Sequence, residues 1–119
     1  MDKILEQSLL YDFYGELLTQ HQKSIYEDFV LNDLSLGEIA EERNISRQAV
    51  YDIVKRCKKQ LEGYEQKLHL LERFTKVKES VESIHAKAEE ILQEPENTKR
   101  RFECAREIEV LSGEIIDVL

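Results

Sequence analysis

Two consecutive helix starts in the segment DLSLGEIAEERNISRQAVYD, residues 33–52, restrict the fold more than any other feature of the sequence. Ser35 is followed three residues later by Glu38, so each side chain is placed to bind the other residue's backbone N–H, which is the capping box that begins a helix. Ser46 supplies a second cap before a new apolar pattern. Between the two, Asn44 accepts the left-handed conformation that a tight helix end requires. The segment therefore predicts a short helix, SLGEIAEER, a sharp turn and a second helix that starts after Ser46.

Two short helices joined by a three- to four-residue turn are typical of a helix-turn-helix motif, in which the backbones approach closely. The small Ala40 stands where such an approach is expected. An ordinary helical hairpin inside a bundle is the alternative that this spacing leaves open.

The rest of the chain has the composition of an all-α protein, with one proline and four glycines among its 119 residues. A first helix is predicted within ILEQSLLYDFYGELL, and a second begins after Thr19, where Gln22 completes another capping box. The buried side of the helix after Ser46 is predicted to carry Val50, Ile53 or Val54, Cys57 and Leu61.

Beyond Gly63 the apolar residues follow a heptad-like pattern from Tyr64 to Ile91, which predicts a helix of about 30 residues, or about 45 Å. Whether this helix is continuous with the preceding one through Gly63 stays open. Pro95 suits the first turn of a last helix, which could fold back antiparallel on the long one. We predict a helix-turn-helix domain over residues 1–63 and a helical arm over residues 64–119. A homodimer is predicted, in which two arms pair as a four-helix bundle.

The net charge of -8 is divided evenly, because residues 1–64 hold 8 basic and 12 acidic side chains and residues 65–119 hold 9 and 13. A general attraction to nucleic acid is therefore excluded, and any binding requires a local patch. Residues 43–59 supply one, with six basic side chains and one acidic. The candidate nucleic-acid contacts are the residues that face outward if Val50 and Val54 face inward: Arg47, Gln48, Tyr51, Asp52, Lys55 and Arg56.

Other kinds of site have weaker support in the sequence. Cys57 and Cys104 fit no metal-ligand spacing and are predicted to be free thiols, and the three histidines suggest no metal site. The run Lys99–Arg101 is either a solvated surface or a phosphate contact. No nucleophile has a neighbouring base and no glycine-rich phosphate loop occurs, so we predict a non-enzyme without a cofactor. No membrane span or secretory signal is recognisable, and a cytoplasmic protein is expected.

The run from LLTQHQ to KKQLE resembles the helix-turn-helix domain with which bacterial sigma factors read the upstream promoter element, most closely in DLSLGEIAE and ISRQAVYD. With the flanking LLYDFYGELL and YEQKLHLLERF, residues 4–84 resemble the YlxM family of helix-turn-helix proteins. The resemblance implies a sigma-like helical domain, followed by a long helix, in a small bacterial cytoplasmic protein. It also implies a regulatory role in the signal recognition particle pathway, an assignment based on genes that neighbour that of the particle's GTPase.

Promoter-reading relatives use the positions of Arg47, Gln48, Tyr51 and Asp52 for base contacts, although Arg and Gln are more usual at the last two. Two hypotheses follow. The domain binds nucleic acid, either DNA as a transcriptional regulator or the RNA of the signal recognition particle. Alternatively, the chain is a protein-interaction module that docks through its arm, for example on proteins of that particle.

Overall fold

The computed structural model describes residues 3–119, which form six α-helices, one short 3-10 helix and no β-strand. The α-helices are α1 (Lys3–Tyr14), α2 (Gln20–Val30), α3 (Leu36–Arg43), α4 (Arg47–Leu68), α5 (Leu70–Gln93) and α6 (Thr98–Val118), and the 3-10 helix Gly15–Leu17 follows α1. The prediction of an all-α fold is confirmed.

The chain divides into two compact units, of which the first ends at Leu71 and the second is Glu72–Leu119. Helix α4 continues through Gly63 without interruption, which answers the question that the sequence left open. Tyr64 and Leu71, which the sequence assigned to the arm, pack into the core of the first unit.

The predicted helix starts in the first unit are confirmed at the level of single hydrogen bonds. The Ser35 hydroxyl accepts from the Glu38 N–H at 3.1 Å, and the Ser35 N–H donates to the Glu38 carboxylate at 3.2 Å. Thr19 and Gln22 form the same reciprocal pair at the start of α2. Asn44 ends α3 in the left-handed conformation, with φ 55°. These elements begin and end where short-range hydrogen bonding dictates.

Helix α4 is the centre of the first unit, since α1, α2 and α3 all pack against it. Its buried side consists of four residues at three- and four-residue steps: Val50, Val54, Cys57 and Leu61. Burying an aliphatic side chain of this size contributes about 1.5–3 kcal/mol. Burial also raises the pKa of Cys57 to about 11, so this thiol stays neutral and packs as an apolar group. Cys57 and Cys104 are both free, as the sequence predicted.

A partly buried ion pair joins α2 to the end of α3. The Arg43 guanidinium donates to the Asp28 carboxylate at 2.6 Å and to the Ser24 carbonyl at 3.3 Å. The bond from Arg43, with a second one from Asn32, holds the pKa of Asp28 below its ordinary value of 3.8. The pair fixes the helix that precedes the turn.

The long helix predicted from Tyr64 onward is instead broken at His69. Helix α4 ends at Leu68, His69 adopts the left-handed conformation with φ 56°, and α5 starts at Leu70. The break coincides with contacts from α1, because the Tyr14 hydroxyl donates to the Glu65 carboxylate at 2.6 Å and accepts from the Leu70 N–H at 3.1 Å. Burial and the bond to Glu65 raise the pKa of Tyr14, which therefore remains a protonated donor. Helical periodicity alone could not predict a break that is made by distant residues.

The second unit is an antiparallel hairpin of α5 and α6. Lys87 pairs with Glu107 at 3.1 Å, and Glu90 pairs with Arg100 at 2.6 Å, so positions later in α5 meet positions earlier in α6. The expectation that the last helix folds back antiparallel on the long one agrees with these contacts. Pro95, however, lies before the helix and not in its first turn, because Asn97 is the N-cap and accepts from the Arg100 N–H at 3.1 Å.

Replacing Asp28 by Asn should lower the free energy of unfolding by about 1 kcal/mol, because the Arg43 guanidinium loses its charged partner. Since the folded pKa of Asp28 is depressed, the stabilisation is complete above its unfolded value of 3.8 and is lost as the pH falls through the lower folded value. Urea unfolding at neutral and acidic pH measures both effects.

Asp12→Asn is the matched control for this substitution, since Asp12 is an exposed carboxylate on α1. It should leave the stability almost unchanged. Equal stabilities of the two variants would show that the Asp28–Arg43 pair contributes nothing.

Candidate nucleic-acid interface

Helices α3 and α4 form the compact corner that the sequence predicts. Asn44 turns the chain, the Ile45 N–H donates to the Ala40 carbonyl at 3.0 Å, and the Ser46 hydroxyl accepts from the Ala49 N–H at 3.0 Å. Ala40 is buried in a cluster with Ile25, Ile39, Val50 and Val54. This arrangement of two capped helices around a small buried residue is a helix-turn-helix.

The six residues singled out from the sequence all have exposed side chains on α4, opposite its buried side. We call them the outward face of α4: Arg47, Gln48, Tyr51, Asp52, Lys55 and Arg56. Tyr51 is 46% exposed, so its ring and hydroxyl are accessible to a ligand. A shallow depression of about 430 Å³ lies between Tyr51, Arg47, Gln48 and Leu36, and Leu36 was not predicted from the sequence to be part of it.

The positive charges of this region fall into two groups that the sequence could not separate. Arg43 is bound to Asp28, and the Lys58 ammonium lies 5.2 Å from the centre of the Phe29 ring, so both serve the fold. Arg47, Lys55 and Arg56 form no ion pair with any residue in the range 3–119. Within residues 43–59, the cations that remain available to a ligand are therefore Arg47, Lys55 and Arg56 on the outward face of α4, and Lys59.

Asp52 is the one acidic residue of the outward face, and it is bound by its neighbour one turn earlier. The Gln48 side-chain amide donates to the Asp52 carboxylate at 3.0 Å. The pair leaves acceptor oxygens on both side chains and an amide N–H on Gln48. Such a pair is better suited to bind a base edge that presents an amino group than to bind a phosphate.

The preceding helix, α3, carries exposed carboxylates. Glu38, Glu41 and Glu42 are exposed on α3, and Glu38 is already engaged in the capping box of that helix. Their charge repels phosphates and confines favourable electrostatics to α4.

The second basic run is used within the hairpin of the second unit. Arg100 pairs with Glu90 and Glu103, and the Arg101 guanidinium donates to the Pro95 carbonyl at 2.9 Å. Each of these contacts stabilises the start of α6. Arg100 is therefore committed to carboxylates, whereas a phosphate contact through Lys99 and Arg101 stays a prediction.

Comparison with known proteins adds an independent observation. Residues 1–101 match the family model UPF0122, described as "Putative helix-turn-helix protein, YlxM / p13 like". A UPF0122 protein of Thermoanaerobacter sp. (strain X514) is 48% identical over 115 residues, which cover 93% of this chain and 97% of that protein.

This chain belongs to the UPF0122 family. Further members are a protein of Geobacillus sp. (strain WCH70), 40% identical over 93% of this chain and 98% of its own length, and one of Shouchella clausii (strain KSM-K16), 54% identical over 62% of this chain and 68% of its own length. The resemblance to the YlxM family is confirmed. The match extends beyond the helix-turn-helix through α5 and into α6.

The described part of this UPF0122 protein contains no helix long and apolar enough to cross a membrane. Residues 3–119 also bring together no group of three metal-ligating side chains.

Replacing Ser46 by Ala should lower the free energy of unfolding by about 1 kcal/mol, because the Ala49 N–H loses its acceptor at the start of α4. Urea denaturation measures the loss. Ser46→Asn, which keeps a capping oxygen, should restore most of it. An alanine variant as stable as the parent would contradict the capping role of Ser46.

Proposed function

We propose that this UPF0122 protein binds nucleic acid through the outward face of α4 and acts by binding and not by catalysis. The observation that carries the proposal is the contrast in charge: a chain of net charge -8 keeps Arg47, Lys55 and Arg56 without ion-pair partners in the described range, on the second helix of a helix-turn-helix. Solvated cations on one helix face are what a groove of phosphates requires.

Each residue of this face has a chemical role in the proposal. Arg47, near the start of α4, is placed to bind guanine or phosphate, and Lys55 and Arg56 to neutralise phosphates. The Gln48 amide and the Asp52 carboxylate read amino groups of adenine or cytosine. Tyr51 offers a hydroxyl and an aromatic ring for stacking.

The affinity should be modest and selective, since the surrounding surface opposes phosphates. The carboxylates Glu38, Glu41 and Glu42 on α3 penalise a poorly aligned duplex. A ligand therefore binds favourably only where its phosphates approach the cations of α4 and stay away from these carboxylates.

The target follows from the family resemblance, which points to the signal recognition particle pathway in the bacterial cytoplasm. We propose the structured RNA of that particle as one target and a DNA operator as the other. An A-form RNA is recognised by phosphates, 2′-hydroxyls and shape, so Arg47, Lys55 and Arg56 would dominate. A DNA target would give the Gln48–Asp52 pair a larger role.

The second unit supports a homodimer and, as the second candidate function, protein docking. On α5, Phe74, Val81 and Ala88 recur every seven residues, on the opposite edge from Lys87 and its ion pairs. On α6, the helical period likewise puts Phe102 and Ile116 on the side opposite Glu107, the partner of Lys87. We call these five residues, with Leu92, the apolar side of the hairpin.

The exposure of this apolar side motivates the pairing of two arms. The side chains of Phe74, Val81, Leu92, Phe102 and Ile116 are between 44% and 79% exposed. Two such sides, packed on one another, would bury these residues in a four-helix bundle. The charged edge, where Lys87 meets Glu107, would remain in water.

The salt dependence of binding tests the nucleic-acid proposal. The double variant Arg47→Ala, Arg56→Ala should bind more weakly, and its plot of log affinity against log salt should be shallower by about 1.8 on duplex DNA, because two phosphate contacts are lost. Fluorescence anisotropy, with labelled duplex DNA and with labelled signal recognition particle RNA, measures both quantities.

The control removes the same charge elsewhere, as Lys67→Ala, Lys78→Ala, at two exposed lysines away from the outward face. Its salt dependence should equal that of the parent. If the parent binds neither nucleic acid at low salt, the proposal fails and protein docking becomes the better hypothesis.

Light scattering tests the dimer. The parent should have twice the mass of the 14.0 kDa chain, and Val81→Glu should give a monomer, because a carboxylate on the apolar side would be buried without a partner. Ser83→Glu places the same charge on the opposite edge of α5 and should leave the dimer intact. A parent that stays monomeric at high concentration contradicts the prediction.

A further inference from the structure

The break between α4 and α5 consists of a single residue in an unfavourable conformation. His69 has φ 56° and ψ 29°, a conformation that residues with a β-carbon adopt uncommonly even though His tolerates it better than most, and helix continues directly on either side of it. A break of this kind persists only where surrounding contacts stabilise it.

The local sequence favours an uninterrupted helix at this point. Apolar residues at Leu68, Leu71, Phe74 and Val77 keep three-residue steps across the break, and no glycine or proline occurs between Gly63 and Pro95. Leu, Glu and Lys, which are good helix formers, dominate the stretch. The break is therefore a product of the tertiary structure.

Two side chains supply what the broken helix loses. In a continuous helix the N–H groups of Leu70 and Leu71 would donate to the carbonyls four residues earlier. Here the Leu70 N–H donates to the Tyr14 hydroxyl at 3.1 Å, and the Leu71 N–H donates to the Glu65 carboxylate at 3.0 Å. The Tyr14 hydroxyl in turn donates to the same Glu65 oxygen at 2.6 Å.

Tyr14 couples this arrangement to the first helix of the chain. Its side chain is 1% exposed, and its ring lies 6.0 Å from that of Tyr64. Because one hydroxyl both accepts from Leu70 and positions Glu65, removing it weakens both replacement hydrogen bonds at once.

We propose that Tyr14 and Glu65 form a latch that holds α4 and α5 apart at His69, and that opening the latch joins them into one continuous helix. The closed state is favoured by the two side-chain hydrogen bonds and by burial of Leu71, which is 6% exposed. The open state is favoured because His69 returns to the right-handed helical conformation and because two backbone hydrogen bonds are restored. The chain thus has two arrangements of one connector, and α1 selects between them.

The latch makes the backbone conformation at His69 a property that binding to α1 can change. Any contact that shifts Tyr14 also removes the acceptor for Leu70. This inference does not depend on nucleic-acid binding, because it concerns only the connector.

Backbone NMR of isotope-labelled protein tests the proposal, because the three-bond coupling between the N–H and Hα protons of His69 depends on φ and distinguishes a left-handed residue from a helical one. The parent should show the left-handed value. Tyr14→Phe, which keeps the ring, should raise the ratio of helical to left-handed populations at His69 about tenfold, as expected when a buried hydrogen bond is left unmade.

Three further variants make the result decisive. Tyr64→Phe removes a hydroxyl from the neighbouring ring and should match the parent. His69→Gly, added to Tyr14→Phe, should return residue 69 to the left-handed conformation, because glycine accepts that conformation freely. His69→Ala alone should favour the helical conformation at residue 69, and it serves if Tyr14→Phe fails to fold by circular dichroism. A parent-like φ at residue 69 in a folded Tyr14→Phe variant, or in His69→Ala if that variant does not fold, overturns the proposal.

Discussion

Burial of one side of α4 is the constraint on which the first unit depends. Three helices reach their places by packing on the stripe that runs from Val50 to Leu61. Once that side is buried, the geometry of a helix leaves the opposite side exposed to solvent, and Arg47 and Tyr51 are exposed for this reason. The candidate interface is thus a direct consequence of how the core is filled. The caps at Ser35 and Ser46 then set where each helix begins.

The parts of the fold that sequence could predict are those encoded within a few residues. The capping boxes, the left-handed Asn44 and the outward face of α4 follow from hydrogen bonds and periodicity over one or two turns. The break at His69 could not be predicted, because its donors are satisfied by Tyr14, more than fifty positions earlier. The heptad-like pattern even favoured continuity there. Pro95 was misplaced because Asn97 offers a better cap two residues later.

At the candidate site, too, the sequence alone could not predict which charged residues are available to a ligand. Counting residues 43–59 finds six cations of similar appearance, yet Arg43 and Lys58 are committed to Asp28 and to the Phe29 ring. Only coordinates separate a cation that supports the fold from one that remains solvated. Of the four cations that remain, Arg47, Lys55 and Arg56 lie on the outward face of α4, and Lys59 follows them on the same helix. A binding role therefore rests on fewer residues than composition suggested, and each carries more of the argument.

The placement of core and surface residues on opposite sides of α4 has an evolutionary consequence. Positions 47, 48, 51 and 52 alternate along the chain with positions 50 and 54, yet the first four are exposed and the last two are buried. Under the proposed function, substitutions at the exposed positions change ligand preference while the free energy of unfolding stays nearly constant. A lineage can then retarget this helix by single steps, each of which leaves a folded protein.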